Sequence, residues 1–94
     1  SDIELKEKRD RVEDAICATK AAIKEGVVAG GGVALAQATV KIKTKTQAER
    51  IVMEALIAPY RIILQNAGLL VDIVYRKDWG IDARTGKAVN MFTI

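Results

Sequence analysis

Ninety-four residues, a net charge of +3 and a hydrophobic half describe one small domain or a piece of one. With 29% charged residues the composition is globular rather than disordered, and no apolar run approaches the ~20 residues of a membrane span. Aromatics make up only 4%, so the core must be aliphatic and Ala-rich, which favours packed helices over a β-sandwich.

Ser1-Asp2-Ile3-Glu4 opens the chain as a capping box, with Ser1 as N-cap, Glu4 reaching back and Asp2 as the fallback cap. From there to Glu25 the apolar positions Leu5, Val12, Ala15, Ile16, Ala22 and Ile23 recur at spacings of three and four, with no breaker. The spacing predicts a helix of roughly six turns. Its first half, "ELKEKRDR", is almost entirely charged and projects into solvent or against an absent partner. Gly26 stands just past its end, where a left-handed residue is expected. Gly30-Gly31-Gly32 leads into a second helix predicted over 33–43. After the polar break "KTKTQ", a third runs over 47–58, and Pro59, lacking an amide donor, ends or kinks it. A fourth, short helix is predicted over 60–67, stopped by Gly68, and a fifth over 69–76. "KDWG" reads as a turn, and "IDARTGKAVNMF" as a hairpin about Thr85-Gly86. The expectation is a mainly α chain, a helical bundle fragment with a long N-terminal helix and a small C-terminal β-hairpin.

A single cysteine, Cys17, excludes an internal disulfide and fits a reducing, cytoplasmic compartment. Without histidine a zinc site is not expected, and no metal ligand is assigned. The lysines are scattered and no aromatic interleaves with them, so neither nucleic acid nor membrane is an expected partner. The chain begins with Ser rather than Met, as a trimmed chain would, and shows no signal peptide. Cys17 on the apolar side of the first helix and Trp79 beside Gly80 both read as packing residues.

Two features point to chemistry. Four glycines fall within the seven residues 26–32. Glycine at a helix N-terminus leaves unpaired N–H groups open to a phosphate, with no Cβ in the way. Yet no Lys-Ser/Thr follows, as in a Walker A loop, and no strand precedes, as in a dinucleotide fold. A plain helix–helix connection explains the same residues. The second feature is Asp14, inside the first helix. It is either an exposed carboxylate paired with Arg11 or Lys20, or a group that orients water for in-line attack on a triphosphate. Asp10 and Glu13 lie close by, and spacing does not choose among the three.

The stretch "KEKRDRVEDAICATKAAIKEGVVAGGGVAL" closely resembles a specific segment of the group I (GroEL-type) chaperonins. The likeness continues through "ALIAPYRIILQNAG" and ends in "WGIDARTGKAVNMF", so it spans essentially the whole chain. Group I chaperonins are double-ring ATPases that enclose non-native proteins, and each subunit has apical, intermediate and equatorial domains. The resemblance implies that residues 1–25 are an intermediate-domain helix and 26–94 the C-terminal part of an equatorial domain, with Gly26 as the hinge between them. It implies Asp14 as the catalytic aspartate. Gly30 and Gly31 would form the backbone floor of the nucleotide pocket, and Ile63, Asp82 and Ala83 would line the base. ATP and Mg2+ are the implied cofactors of the parent protein, and none is expected on this fragment.

The sequence also departs from the family. The phosphate and magnesium motif "DGTTT" and the "GPKG" loop are absent, as is the apical domain that binds unfolded proteins and the co-chaperonin. The chain stops before the family's "G-[IL]-x-D-P". Leu69-Leu70 stands where acidic residues are common, near the inter-ring contact, which leaves Arg61 without its usual ion-pair partner there. The expected function is therefore a part of an ATP-dependent folding machine, a ring-forming subunit inactive as an isolated piece. The alternative is a free-standing helical interaction module that kept the scaffold without ATPase activity. Uncovered apolar residues such as Leu56, Ile62, Ile63, Leu70 and Val74 further predict that the isolated chain self-associates.

Overall fold

Ser1 starts the first helix as its side chain dictates. In the computed structural model, which describes residues 1–94, Ser1 Oγ accepts from the Glu4 amide at 3.3 Å, and the Glu4 carboxylate returns to the Ser1 ammonium at 3.6 Å. The resulting helix α1 (Asp2–Glu25) runs unbroken and has no buried residue. Gly26 closes it, donating to the Ala22 carbonyl at 2.8 Å. Its φ of 84° is positive as expected, but ψ is −170°, so it lies outside the left-handed helical region, in one that is essentially glycine's own. Cys17, expected in the core, is exposed because nothing packs on this helix.

The second helix is shorter than the sequence predicts. α2 (Val33–Ala38) ends where a single 3-10 turn, Thr39–Lys41, takes over. Thr39 Oγ1 donates to the Ala36 carbonyl at 2.6 Å, the local competition with the helix ladder that hydroxyl residues bring.

A full capping box starts α3 (Gln47–Asn66): Thr46 Oγ1 accepts from the Glu49 amide and the Glu49 carboxylate from the Thr46 amide, each at 3.1 Å. Pro59 lies inside this helix and neither ends nor divides it, so the predicted third and fourth helices are one. Pro59 offers no amide to the Ala55 carbonyl, but both residues lie on the exposed side, where that carbonyl faces water. The helix ends in a Schellman motif about Gly68, φ 73°: Leu69 donates to Leu64 at 2.9 Å and Gly68 to Gln65 at 3.0 Å.

No fifth helix follows. Residues 69–75 adopt neither helix nor strand. Val71, Ile73 and Val74 are β-branched, which weakens helix formation. Two side chains from the body fix this backbone instead. Tyr60 Oη donates to the Asp72 carbonyl, and Gln37 Nε2 donates to the carbonyls of Val74 at 3.2 Å and Arg76 at 2.7 Å. The hairpin forms as predicted: β1 (Trp79–Ile81) pairs antiparallel with β2 (Ala88–Asn90), with Gly80 opposite Val89. A final 3-10 turn, Met91–Thr93, follows.

The core is Ala29, Val33, Ala36, Tyr60 and Leu64, with Leu69, Ile73, Ile81 and Met91 packed against it. It lies between α2, α3 and the hairpin, and α1 contributes nothing to it. Two glycines set how closely these parts approach. A Cβ on Gly32 (φ 76°) would stand 2.6 Å from Tyr60 N and 2.8 Å from its Cα. A Cβ on Gly80 would stand 2.3 Å from Val33 Cγ2.

Candidate functional site

The glycine run at the start of α2 divides by role. Gly32 is committed to the backbone contact with α3. Gly31, φ 67°, sits against the Met91 side chain, 2.7 Å from where its Cβ would be. Gly30 is exposed and a Cβ there would touch nothing. The amides of Gly30, Gly31 and Gly32 donate to no group in the chain. Because α2 has only six residues, its dipole adds little; what the corner offers is bare backbone with free donors.

The hairpin joins this corner through Met91, against Gly31 and Gly80, and through Ile81, against the shared core. Asp82 follows at once and is 5% exposed. Its carboxylate accepts from the Arg84 amide at 2.9 Å and from Arg84 Nε at 3.3 Å and Nη2 at 3.4 Å. Those Arg84 hydrogen bonds, side chain first and backbone second, hold its carboxyl below the usual aspartate range. The Asp82 carbonyl accepts from Thr85 at 3.2 Å and Gly86 at 2.7 Å, and its amide donates to Lys87 at 2.9 Å. Asp82 is therefore saturated, and it fixes a loop in which the Ala83 backbone makes no hydrogen bond.

The other sequence-derived residues stand differently. Ile63 is 38% exposed on the flank of α3, one residue before the buried Leu64. Asp14 is exposed on α1 and forms no ion pair, so the pairing with Arg11 or Lys20 is not made. It lies twelve residues before Gly26, about 18 Å along the helix. The fold thus unites Gly30 and Gly31 with the loop of Asp82 and Ala83, and leaves Asp14 on a separate projection. No three His, Cys, Asp or Glu residues converge as a metal site.

The profile of the TCP-1/cpn60 chaperonin family matches residues 1–93, from the first residue of the arm to the last turn after the hairpin. The chain belongs to the TCP-1/cpn60 chaperonin family. A chaperonin-related role in protein folding follows, and with it assembly with other chaperonin subunits.

Sequence reading missed one organising residue of this chaperonin chain. Gln37 donates to Val74, Arg76 and, at 3.1 Å, Trp79, and its Oε1 accepts from the Asp78 amide at 3.0 Å. It holds the turn before the hairpin, in which Asp78 takes φ 64° and the Arg76 guanidinium stacks 4.2 Å over the Trp79 ring. An apolar groove of about 800 Å³ lies beside it, bounded by Val27, Val28, Ala38, Ile73, Tyr75 and Phe92.

Proposed function

We propose that the chain is the return leg of a group I chaperonin subunit and supplies one wall of its ATP site. Residues 1–25 would belong to the intermediate domain and 26–94 to the equatorial domain. The observation that carries this reading is the corner where the free amides of Gly30 and Gly31 meet the hairpin that presents Ala83. Gly30 and Gly31 would lie under the nucleotide's phosphates. Ile63 and the open backbone of Ala83 would bound the base, with Asp82 holding that loop in place. Asp14 would accept a hydrogen bond from a water and orient it for in-line attack, once rotation about Gly26 turns the arm towards the corner.

The fit is one-sided. ATP supplies the phosphoryl group and Mg2+ the charge neutralisation that its transfer needs. The glycine corner suits a phosphate, whereas residues 1–94 bring no set of ligands together for the metal. Phosphate- and metal-binding groups from the first half of a full subunit would complete the site, and the apical domain would take unfolded proteins and the co-chaperonin. The isolated chain is therefore inactive. An added Cβ at Gly26 would meet no atom within 4 Å, which supports reading this residue as the joint of the arm.

The test is a full-length subunit containing this segment. Asp14→Ala is expected to lower ATP turnover by about 10²-fold while leaving nucleotide affinity nearly unchanged. Turnover at the unmodified rate removes Asp14 from the chemistry. ATP hydrolysis by residues 1–94 alone contradicts the fragment reading, and a reading frame that starts at Ser1 favours the free-standing module instead.

A further inference from the structure

Neither the core nor the nucleotide corner accounts for the backbone of residues 70–77. Three of its carbonyls are held from inside the molecule: Asp72 by Tyr60, and Val74 and Arg76 by Gln37. They are alternate residues, the period of an extended chain, so the amide and carbonyl groups of Val71, Ile73 and Tyr75 face the opposite edge. No amide from Leu70 to Lys77 donates to any group in the chain, and the carbonyls of Val71, Ile73 and Tyr75 accept from none. This segment belongs to no sheet, but it presents a row of unpaired backbone groups like that of an edge strand. It is built largely of residues that favour strands; Leu70 at 91% and Tyr75 at 84% exposure stand in water, while Ile73 and Val74 are half-buried, Ile73 against the core.

We infer that this edge pairs antiparallel with the same edge of a second copy of the chain, about a two-fold axis through Val74. Charge selects that register. It sets Asp72 opposite the partner's Arg76 and Ile73 opposite the partner's Tyr75, each pair occurring twice by symmetry. Opposite charges, and an aromatic facing a β-branched residue, are favourable cross-strand pairs. An axis through Ile73 would instead face Asp72 with valine and Arg76 with leucine. Neither Asp72 nor Arg76 forms an ion pair within its own chain; the Arg76 guanidinium is held only by its stacking on the exposed flank of the turn, over Trp79. In the chosen register Ile73 and the partner's Tyr75 exchange their outward amide and carbonyl groups, the hydrogen-bonded pair of an antiparallel ladder. The interface is independent of the nucleotide reading, and either stands if the other fails.

The test is sedimentation velocity of the chain from micromolar to several hundred micromolar concentration. A concentration-dependent dimer is expected. Asp72→Arg and Arg76→Asp should each raise its dissociation constant at least tenfold, and the double variant should restore it to within about threefold, because the swap recreates both ion pairs. Residue-resolved hydrogen exchange on the unmodified chain needs no variant to fold. There the amides of Val71, Ile73 and Tyr75 should slow at least tenfold as dimer forms. A monomer throughout, a dimer whose exchange at these residues is unchanged, or no rescue by the double variant overturns the inference.

Discussion

The arm and the body of this chain hold their shape by different means. Helix α1 has 24 residues and buries none, whereas residues 26–94 contain the whole core. The arm rests on local terms: a capping box at Ser1, an unbroken helical run and acidic residues in its first turn. Such terms sustain a long helix only marginally in water. The body rests on long-range terms that no single element carries: two glycines at near-zero clearance, a five-residue core and the Gln37 amide holding a distant turn. A chain divided this way should respond to substitution by region.

The largest effect is expected at Gly32. Gly32→Ala places a Cβ against Tyr60 backbone at a positive φ and should cost about 3–4 kcal/mol, enough to unfold a body this small. Gly26→Ala meets no atom and should cost only the conformational strain, about 2 kcal/mol. Urea titration followed by Trp79 fluorescence separates them, and equal losses would erase the distinction between arm and body. Next is Leu64→Ala in the core, at about 3 kcal/mol, against a change within about 0.5 kcal/mol for the exposed Ile16→Ala in the arm. Gln37→Leu should follow at about 2 kcal/mol, seen as a loss of the Trp79 environment with the helical signal at 222 nm retained.

The pH dependence is the smallest and also belongs to the body. The folded Asp82 carboxyl is depressed by Arg84, so its contribution is present above the unfolded value of about 4 and lost as pH falls through the folded value. The Tyr60 hydroxyl is raised, by burial first and by Asp72 second, so its contribution holds below about pH 10 and is lost as pH rises through the folded value. Asp82→Asn should flatten the acid limb of a stability–pH curve and Tyr60→Phe the alkaline limb. An unchanged acid limb in Asp82→Asn would assign that dependence to other carboxylates.

The same division explains what the sequence disclosed. Ser1, Glu4, Gly26, Thr46 with Glu49, and Gly68 act within a few residues of themselves, and each end they mark is where reading placed it or within a residue. The hairpin was legible for the same reason. Pro59 misled because its cost depends on which side of α3 it occupies, and burial is not written locally. Residues 69–76 misled because hydroxyl and amide donors at positions 60 and 37 claim their carbonyls, across 12 to 39 residues of chain. In the candidate site, the resemblance singled out the glycine corner and the hairpin loop, which the fold brings together through Met91 and Ile81. It could not show that Gly32 is consumed by helix contact, or that Asp82 is saturated by Arg84 and leaves Ala83 as the open neighbour.

A hinge at Gly26 would give the molecule mechanical advantage. The helix beyond it is 24 residues long, about 36 Å, and is rigid along its axis because every interior turn is hydrogen-bonded. A change of about 10° at that one backbone joint would therefore carry Ser1 through about 6 Å, and Asp14 through about half as much. Small torsions at a residue with no side chain become displacements the size of a side chain at the far tip. The body could then stay still while its lever travels.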